Sequence, residues 1–291
     1  MALGVFDGVH RAHREILKYA VKQAQSTKGR SVVVTFWPHP QREASLYSLK
    51  HRLRLIEELG VDTCIVINFS PSFAKISAED FLKDILIDRI GARYICIGKN
   101  FRFGKEARGD FKLFKRLSHK YHFGLKVFSV MKVRRLPISS TSIRRAISRG
   151  NLKAAQSLLL EPVSVLGTVI RGNSLAKQLG FPTANINPHH EVLPPSGVYA
   201  VKVIFKHKKF KGVCYIGSKP TFKFIVHSSK SNTPTHIEVH IFNFHGDIYG
   251  KDLEIQFIRK IRNEKKFSSA ALLARQIKKD ADFTQKLFSL P

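Results

Sequence analysis

The sequence predicts an α/β domain with an open parallel sheet, followed by a small closed β-barrel that carries a C-terminal helix. Two observations predict it. Through the first half, short apolar β-branched runs alternate with segments of helical apolar spacing, the rhythm of parallel strands joined by helical crossovers. Past about residue 160 the chain becomes a series of strand-length segments separated by Gly, Pro and Asn, the rhythm of a barrel.

In chain order, strands are expected at SVVVTFW (31–37), TCIVINF (63–69) and RYICIG (93–98), and helices at HREILKYAVKQAQ (13–25) and AEDFLKDILIDRI (78–90). The segment from Gly4 to His13 leaves a strand and opens a helix. Only three residues precede Gly4, whereas a strand usually has about five, so this strand is expected to start upstream of the sequence. SIRRAISRGNLKAAQSLLL (142–160) reads as one last helix, closed by Glu161-Pro162. Barrel strands follow at VSVLGTVI (163–170), GVYAVKVIF (197–205), KGVCYIG (211–217), HIEVHIFNF (236–244) and DLEIQFIRKI (252–261). The apolar spacing of SSAALLARQIKKDADFTQKLF (268–288) predicts a helix packed outside the barrel. Domains are expected over residues 1–160 and 161–291.

With 291 residues and 43% hydrophobic composition, the chain can fill a core in each domain. No run of 18 apolar residues occurs, and MALGVFDGVH lacks the pattern of a signal peptide. No membrane partner and a cytoplasmic location are expected. Cys64, Cys96 and Cys214 lie far apart and read as reduced structural thiols, neither a metal site nor a disulfide framework. The formal charge of +29 raises nucleic-acid binding. However, residues 1–150 hold 29 basic and 12 acidic residues and the remainder 21 and 9, so no arm or helix owns the excess. The densest cluster, from Lys112 to Lys132 with Arg134 and Arg135, reads as a solvated helix face and loop, and a nucleic-acid partner is not expected.

In the segment Gly4-Val5-Phe6-Asp7-Gly8-Val9-His10-Arg11-Ala12-His13, two histidines stand at a helix start, where imidazoles, backbone N–H groups and the helix dipole suit nucleotide phosphates. Surface histidines are the plain alternative. This segment resembles the signature GxFDGVHxGH of the bacterial bifunctional riboflavin kinase/FMN adenylyltransferase family. Four further pieces agree in order: Thr35–Pro40 (TFWPHP), Gly98–Gly104 (GKNFRFG), Gly109-Asp110 and Ile138–Arg144 (ISSTSIR). The resemblance implies a Rossmann-like nucleotidyltransferase domain in which His10 and His13 stabilise charge on the α-phosphate and the leaving pyrophosphate. It implies that Gly4, Phe6, Asp7 and Gly8 form the nucleotide loop, that Ser139, Thr141 and Arg144 grip the ATP phosphates, and that Asn100 and Arg102 line the FMN or ATP pocket. Ala12 stands where the family has Gly, and Ser142 where it often has Arg or Lys.

In the second half, Gly167–Gly172 leads into Leu179-Gly180-Phe181-Pro182-Thr183-Ala184-Asn185-Ile186, which resembles the flavokinase signature GxxxGRxLGFPTANI. Thr183 and Asn185 put two hard oxygens on one face of an extended segment, a pair suited to Mg²⁺. Glu238 alternates with apolar residues in HIEVHIF, so its carboxylate faces one side of a strand; a buried salt-bridge partner is the alternative. The resemblance implies a Greek-key barrel with Glu238 as the base for the riboflavin 5′-hydroxyl and Lys177, Gly180, Phe181 and Pro182 around the nucleotide. Tyr249 is then near the nucleotide, and Arg262, Lys265 and Phe267 in the flavin pocket. Ala176 and Lys177 replace Gly-Arg, Tyr215 stands where Asn is usual, and Lys219 replaces Arg. The whole implies FAD synthesis from riboflavin, through FMN, with ATP and Mg²⁺. A chain keeping one activity only, or a nucleic-acid-binding protein on the same scaffold, are the alternatives.

Overall fold

Ala2–Leu3 (β1) is a two-residue strand, yet it sits mid-sheet, paired in parallel with Val32–Trp37 (β2) on one side and Tyr94–Gly98 (β4) on the other. The computed structural model describes residues 1–41, 43–133, 136–172, 179–189, 192–218 and 235–289. Two compact units form, one of Met1–Ser45 with Leu49–Ser142, the other of Ile143–Pro291 with Leu46–Ser48.

In the first unit, Thr63–Asn68 (β3) pairs with β2 and Gly124–Phe128 (β5) with β4, giving the parallel order β3-β2-β1-β4-β5. Strand order therefore reverses between β1 and β4, the position where open α/β sheets bind ligands beyond the strands' carboxyl ends. β2 is buried at its four central residues, as a strand covered on both faces must be. Leu3, Val34, Ile95 and Ile97 pack with Phe81, Leu82, Leu86, Phe114 and Leu117 in one core, each side chain stabilising by about 1.5–3 kcal/mol. The helices are Arg11–Ser26 (α1), Leu49–Glu57 (α2), Ala78–Asp80 (α3) and Phe111–Lys120 (α4). α3 runs into a π-helix, Phe81–Arg89, whose wider winding puts Phe81, Leu82 and Leu86 together on the buried face. The helix expected over 142–160 is instead two, Ser140–Ser148 (α5) and Leu152–Leu159 (α6). Gly150 breaks it at φ 72°, and the Asn151 side chain caps α6 by accepting from Ala154 N at 3.1 Å. A short hairpin, Lys132–Val133 (β6) with Leu136–Pro137 (β7), precedes α5.

In the second unit, six antiparallel strands close a barrel: Ser164–Ile170 (β8), Ala184–Pro188 (β9), Gly197–Phe205 (β10), Lys208–Ser218 (β11), Thr235–Ile241 (β12) and Asp252–Arg262 (β13). The order β10-β11-β12-β9-β8-β13 closes through β13 on β10, and the β9 to β10 connection skips across the barrel in Greek-key fashion. Alternation fills the interior: Val201, Val203, Ile237, Val239, Leu253 and Ile255 are all at most 1% exposed. Ala270–Ser289 (α7) packs against β11, with Lys211 Nζ donating to Phe288 O at 3.2 Å. Cys64 lies in β3, Cys96 in β4 and Cys214 in β11, and all three are free. No described helix is long and apolar enough to cross a membrane.

Candidate active sites

The first constellation lies where β1 and β4 end. From Gly4, whose N–H donates to Val34 O at 3.1 Å, the chain turns through Phe6 (φ 51°), Gly8 (φ 80°) and Val9 (φ 39°), all buried. Left-handed backbone at three of four residues is costly outside glycine, and the turn delivers His10 to the N-cap of α1. His10 Nδ1 accepts from His13 N at 3.4 Å, so the proton of the neutral His10 ring sits on Nε2, outward as a donor. The two rings stack at 3.5 Å between centroids, 17° from parallel, and Phe6 meets His13 edge-on. Burial pushes the His10 imidazole down to about 3. Burial, then His10 and Arg52, hold His13 well below the ordinary histidine value. Both rings are therefore neutral near pH 7, and the first turn of α1 holds no acidic side chain. Such a place favours an incoming polyphosphate.

Ser140, on α5, donates from Oγ to the Asp7 carbonyl at 3.0 Å, which brings the ISSTS segment onto the turn. Ser139 Oγ accepts from Ser142 N and Ser142 Oγ from Ser139 N, each at 3.1 Å, so Ser142 closes the start of α5. Thr141 is exposed and Arg144 half-buried on the same helix. Asn100 and Arg102 follow β4; Asn100 is exposed, and Arg102 pairs with Asp110 at 3.4 Å. Ala12 sits in the first turn of α1 with helical backbone, so its methyl group strains nothing there.

The second constellation lines a cavity of about 270 Å³ in the barrel unit, bounded by Phe181, Thr183, Glu238, Arg262, Lys265 and Phe267. Register explains the grouping: Glu238 on β12 stands opposite Asn185 on β9 and Tyr215 on β11. Thr183 Oγ1 lies 3.5 Å from Glu238 Oε2. A Cβ at Gly172 would collide with the Asn185 amide, so glycine there makes room for that side chain. Arg262 forks onto Asp280 of α7, Nε at 3.0 Å and Nη2 at 2.9 Å from Oδ2, and both Arg262 and Lys265 lie 5.8 Å over the Phe267 ring. Gly180 (φ 85°) and Pro182 form the exposed turn into β9. Tyr249 is 54% exposed, does not line this cavity, and has its N–H bonded to Asp247. Ala176, Lys177 and Lys219 lie outside the described residues.

Sequence reading missed Arg52, which is fully buried behind the first turn, and His240 and Asp280 at the second cavity, and noted Tyr215 only as a departure from the family's Asn. Arg52 lies in a basic helix with no motif. Asp280 carried a faint signal, a carboxylate on the apolar stripe of α7. Tyr215 donates to Glu264, and burial followed by that carboxylate raises its phenol above the ordinary tyrosine value.

A family model described as FAD synthetase matches residues 1–142, and one described as riboflavin kinase matches residues 159–288. Proteins named bifunctional riboflavin kinase/FMN adenylyltransferase are similar throughout. The one from Buchnera aphidicola subsp. Schizaphis graminum is 36% identical over 100% of this chain and 94% of its own. That of Escherichia coli K12 is 33% identical over 100% and 93%, and that of Bacillus subtilis 34% over 99% and 92%. A crystal structure described as a macrolide-efflux protein from Streptococcus pneumoniae superposes with a TM-score of 0.83 at 29% identity, over 98% of this chain and 93% of that one.

Proposed function

We propose how residues divide the work in a chain that belongs to the bifunctional riboflavin kinase/FMN adenylyltransferase family, taking residues 1–160 as the adenylyltransferase domain and 161–291 as the kinase domain. Its function is FAD biosynthesis by both activities: ATP phosphorylates riboflavin to FMN, and a second ATP gives its AMP to FMN.

At the first site, the FMN phosphate is itself the nucleophile, so the protein's task is positioning and charge stabilisation. The neutral imidazoles of His10 and His13 donate to the α-phosphate and to the departing pyrophosphate. Both rings thereby meet the charge that builds as the α-phosphate is attacked and pyrophosphate leaves. Gly4, Phe6, Asp7 and Gly8 shape the loop beneath the nucleotide; Ser139, Thr141 and Arg144 grip the triphosphate; Asn100 and Arg102 contact FMN or ATP.

At the second site, Glu238 takes the proton of the riboflavin 5′-hydroxyl as that oxygen attacks the γ-phosphate. Thr183 and Asn185 fit Mg²⁺: they offer a hydroxyl and an amide oxygen beside a carboxylate, and Mg²⁺ completes such a site with phosphates and water. The ion supplies neutralisation of phosphate charge. Arg262, Lys265 and Phe267 hold the flavin, while Lys177, Gly180, Phe181, Pro182 and Tyr249 serve the nucleotide. The partners are small molecules; neither membrane nor nucleic acid is required, and we place the enzyme in the cytoplasm.

The observation that carries this reading is the register that sets Glu238 against Asn185 beside Thr183, in a unit separate from the stacked histidines. Glu238→Gln is expected to abolish FMN formation from riboflavin while FMN supplied directly still becomes FAD. Flavins resolved by chromatography after incubation with ATP and Mg²⁺ decide it; equal loss of both products in folded protein would refute the division.

A further inference from the structure

Arg52 is 0% exposed, and its neighbour Asp7 is 1% exposed. Its Nη1 donates to Val5 O at 2.9 Å and Phe36 O at 3.3 Å, and approaches Thr35 Oγ1 at 3.5 Å; its Nη2 lies 3.8 Å from Asp7 Oδ1. Nε and Nη2 make no hydrogen bond among the described residues. A guanidinium taken wholly out of water, with two donors idle, one loose ion pair and a contact 5.6 Å over the Trp37 ring, is a poor way to stabilise a fold; apolar side chains of the same volume do that better. What an arginine supplies and an apolar residue does not is a planar fork spanning several acceptors, and a charge that never titrates away. The acceptors here are the carbonyls of Val5, at the left-handed turn, and of Phe36 on β2, both met by Nη1, with the Asp7 carboxylate of the turn at ion-pair distance from Nη2.

We propose that Arg52 is a positioning residue for adenylyl transfer: from α2 it ties Val5, Phe36 and Asp7 into one brace that holds the strained turn and so fixes the stacked pair His10 and His13. This rests on the reading of those histidines as the groups that meet the α-phosphate. A second consequence follows from charge. The groups bearing on His13 are His10 on the same helix end, Arg52 on α2, and, through Arg52, Asp7 of the turn and Cys64 of β3. Arg52 adds a fixed positive charge that opposes protonation of His13, keeping the ring a neutral donor until phosphate arrives.

The test compares Arg52→Met, Arg52→Lys, His13→Ala and the Arg52→Met/His13→Ala double variant in the full chain. FMN formation from riboflavin serves as the internal control, with FAD formation from FMN followed against pH. Arg52→Met is expected to lower kcat for FAD formation by about 10- to 100-fold, with KM for FMN changed by less than about threefold. The acid limb of its profile should move up, while burial and His10, the larger causes, still hold His13 below the ordinary histidine value. Arg52→Lys retains charge but not the fork, so kcat falls by about tenfold while the acid limb stays. The double variant should lose no more than about twofold beyond His13→Ala alone, because Arg52 acts through the histidines. If His13→Ala is impaired but Arg52→Met turns over like the parent, or the losses multiply in the double variant, the inference falls alone. Should Arg52→Met not fold, Arg52→Lys at parental kcat overturns it. Parental turnover in His13→Ala would remove the underlying reading instead.

Discussion

His10 and His13 show what a motif conveys at residue scale and what it leaves out. Their spacing at a helix start was legible, and the chemistry proposed for them came from the resemblance. That they stack, and that burial holds both below the ordinary histidine value, is given by the fold around them and by no spacing rule. Removing either imidazole is expected to cut kcat for FAD formation by about 100- to 1,000-fold, on the order of 3 kcal/mol as for other preorganised donors, and to leave the KM for FMN nearly as it was. Steady-state kinetics separating the two parameters checks this, and retention within about threefold of parental kcat, or about 0.65 kcal/mol, would leave the pair a buried structural element with no part in the transfer. Acid stability follows from the same burial. The folded values lie below the unfolded histidine value of about 6.5, so below that pH the unfolded chain binds more protons. Stability is then lost as pH falls from about 6.5 toward the His10 value of about 3, by about 1.4 kcal/mol per pH unit for each histidine. Urea midpoints of the first unit measured from pH 7 to 4 test it, and His10→Ala should flatten the slope.

At the scale of elements, long periodic segments and β-branched runs were readable, because one face or two of each is buried and the pattern records it. The failures are local. α5 and α6 read as one helix because the apolar spacing continues through Gly150, and only the backbone shows the left-handed break. α2 is rich in basic side chains that hide its apolar face, β5 is a five-residue strand within a basic stretch, and the cluster from Lys112 to Lys132, read as helix face and loop, is α4 followed by β5. β9 was seen as an extended segment, yet its pairing partner, and so the meeting of Asn185 with Glu238, came only with the barrel's closure. Gly172 follows β8 where an added Cβ would lie 2.7 Å from Asn185 Oδ1 and nearer still to its Nδ2. Gly172→Ala is therefore expected to turn the Asn185 amide aside at little cost in stability, since a flexible side chain gives way. Its signature is a raised requirement for Mg²⁺ and ATP in riboflavin phosphorylation with FAD formation from FMN unchanged; an unaltered Mg²⁺ titration would separate Asn185 from the metal.

At the scale of the whole molecule, the change of rhythm near residue 150 announced two architectures, and the described residues form two compact units, the first with the core around Phe81, Leu86 and Phe114, the second with a barrel cavity lined by Phe181, Thr183 and Glu238. Saturating riboflavin is accordingly expected to slow amide exchange in β12, β13 and α7 while β2 exchanges as before. Hydrogen exchange read by mass spectrometry resolves these peptides, and slowed exchange in β2 would reveal coupling that separate cores do not require. The charge of +29 was the most conspicuous number in the sequence and the least informative about the sites, because it is distributed over both halves.

The two-residue β1 has a consequence for how the enzyme is made. Its partners lie about 30 and 94 residues further along the chain, at Val33 and Cys96, and the serine that fastens the Asp7 carbonyl is Ser140. No local pairing rewards the N-terminal segment while it waits, and closing such long loops costs entropy before any contact repays it. The turn after β1 thus waits for residues far along the chain to complete it, so nascent chains stalled short of Ser140 should emerge with that turn unformed.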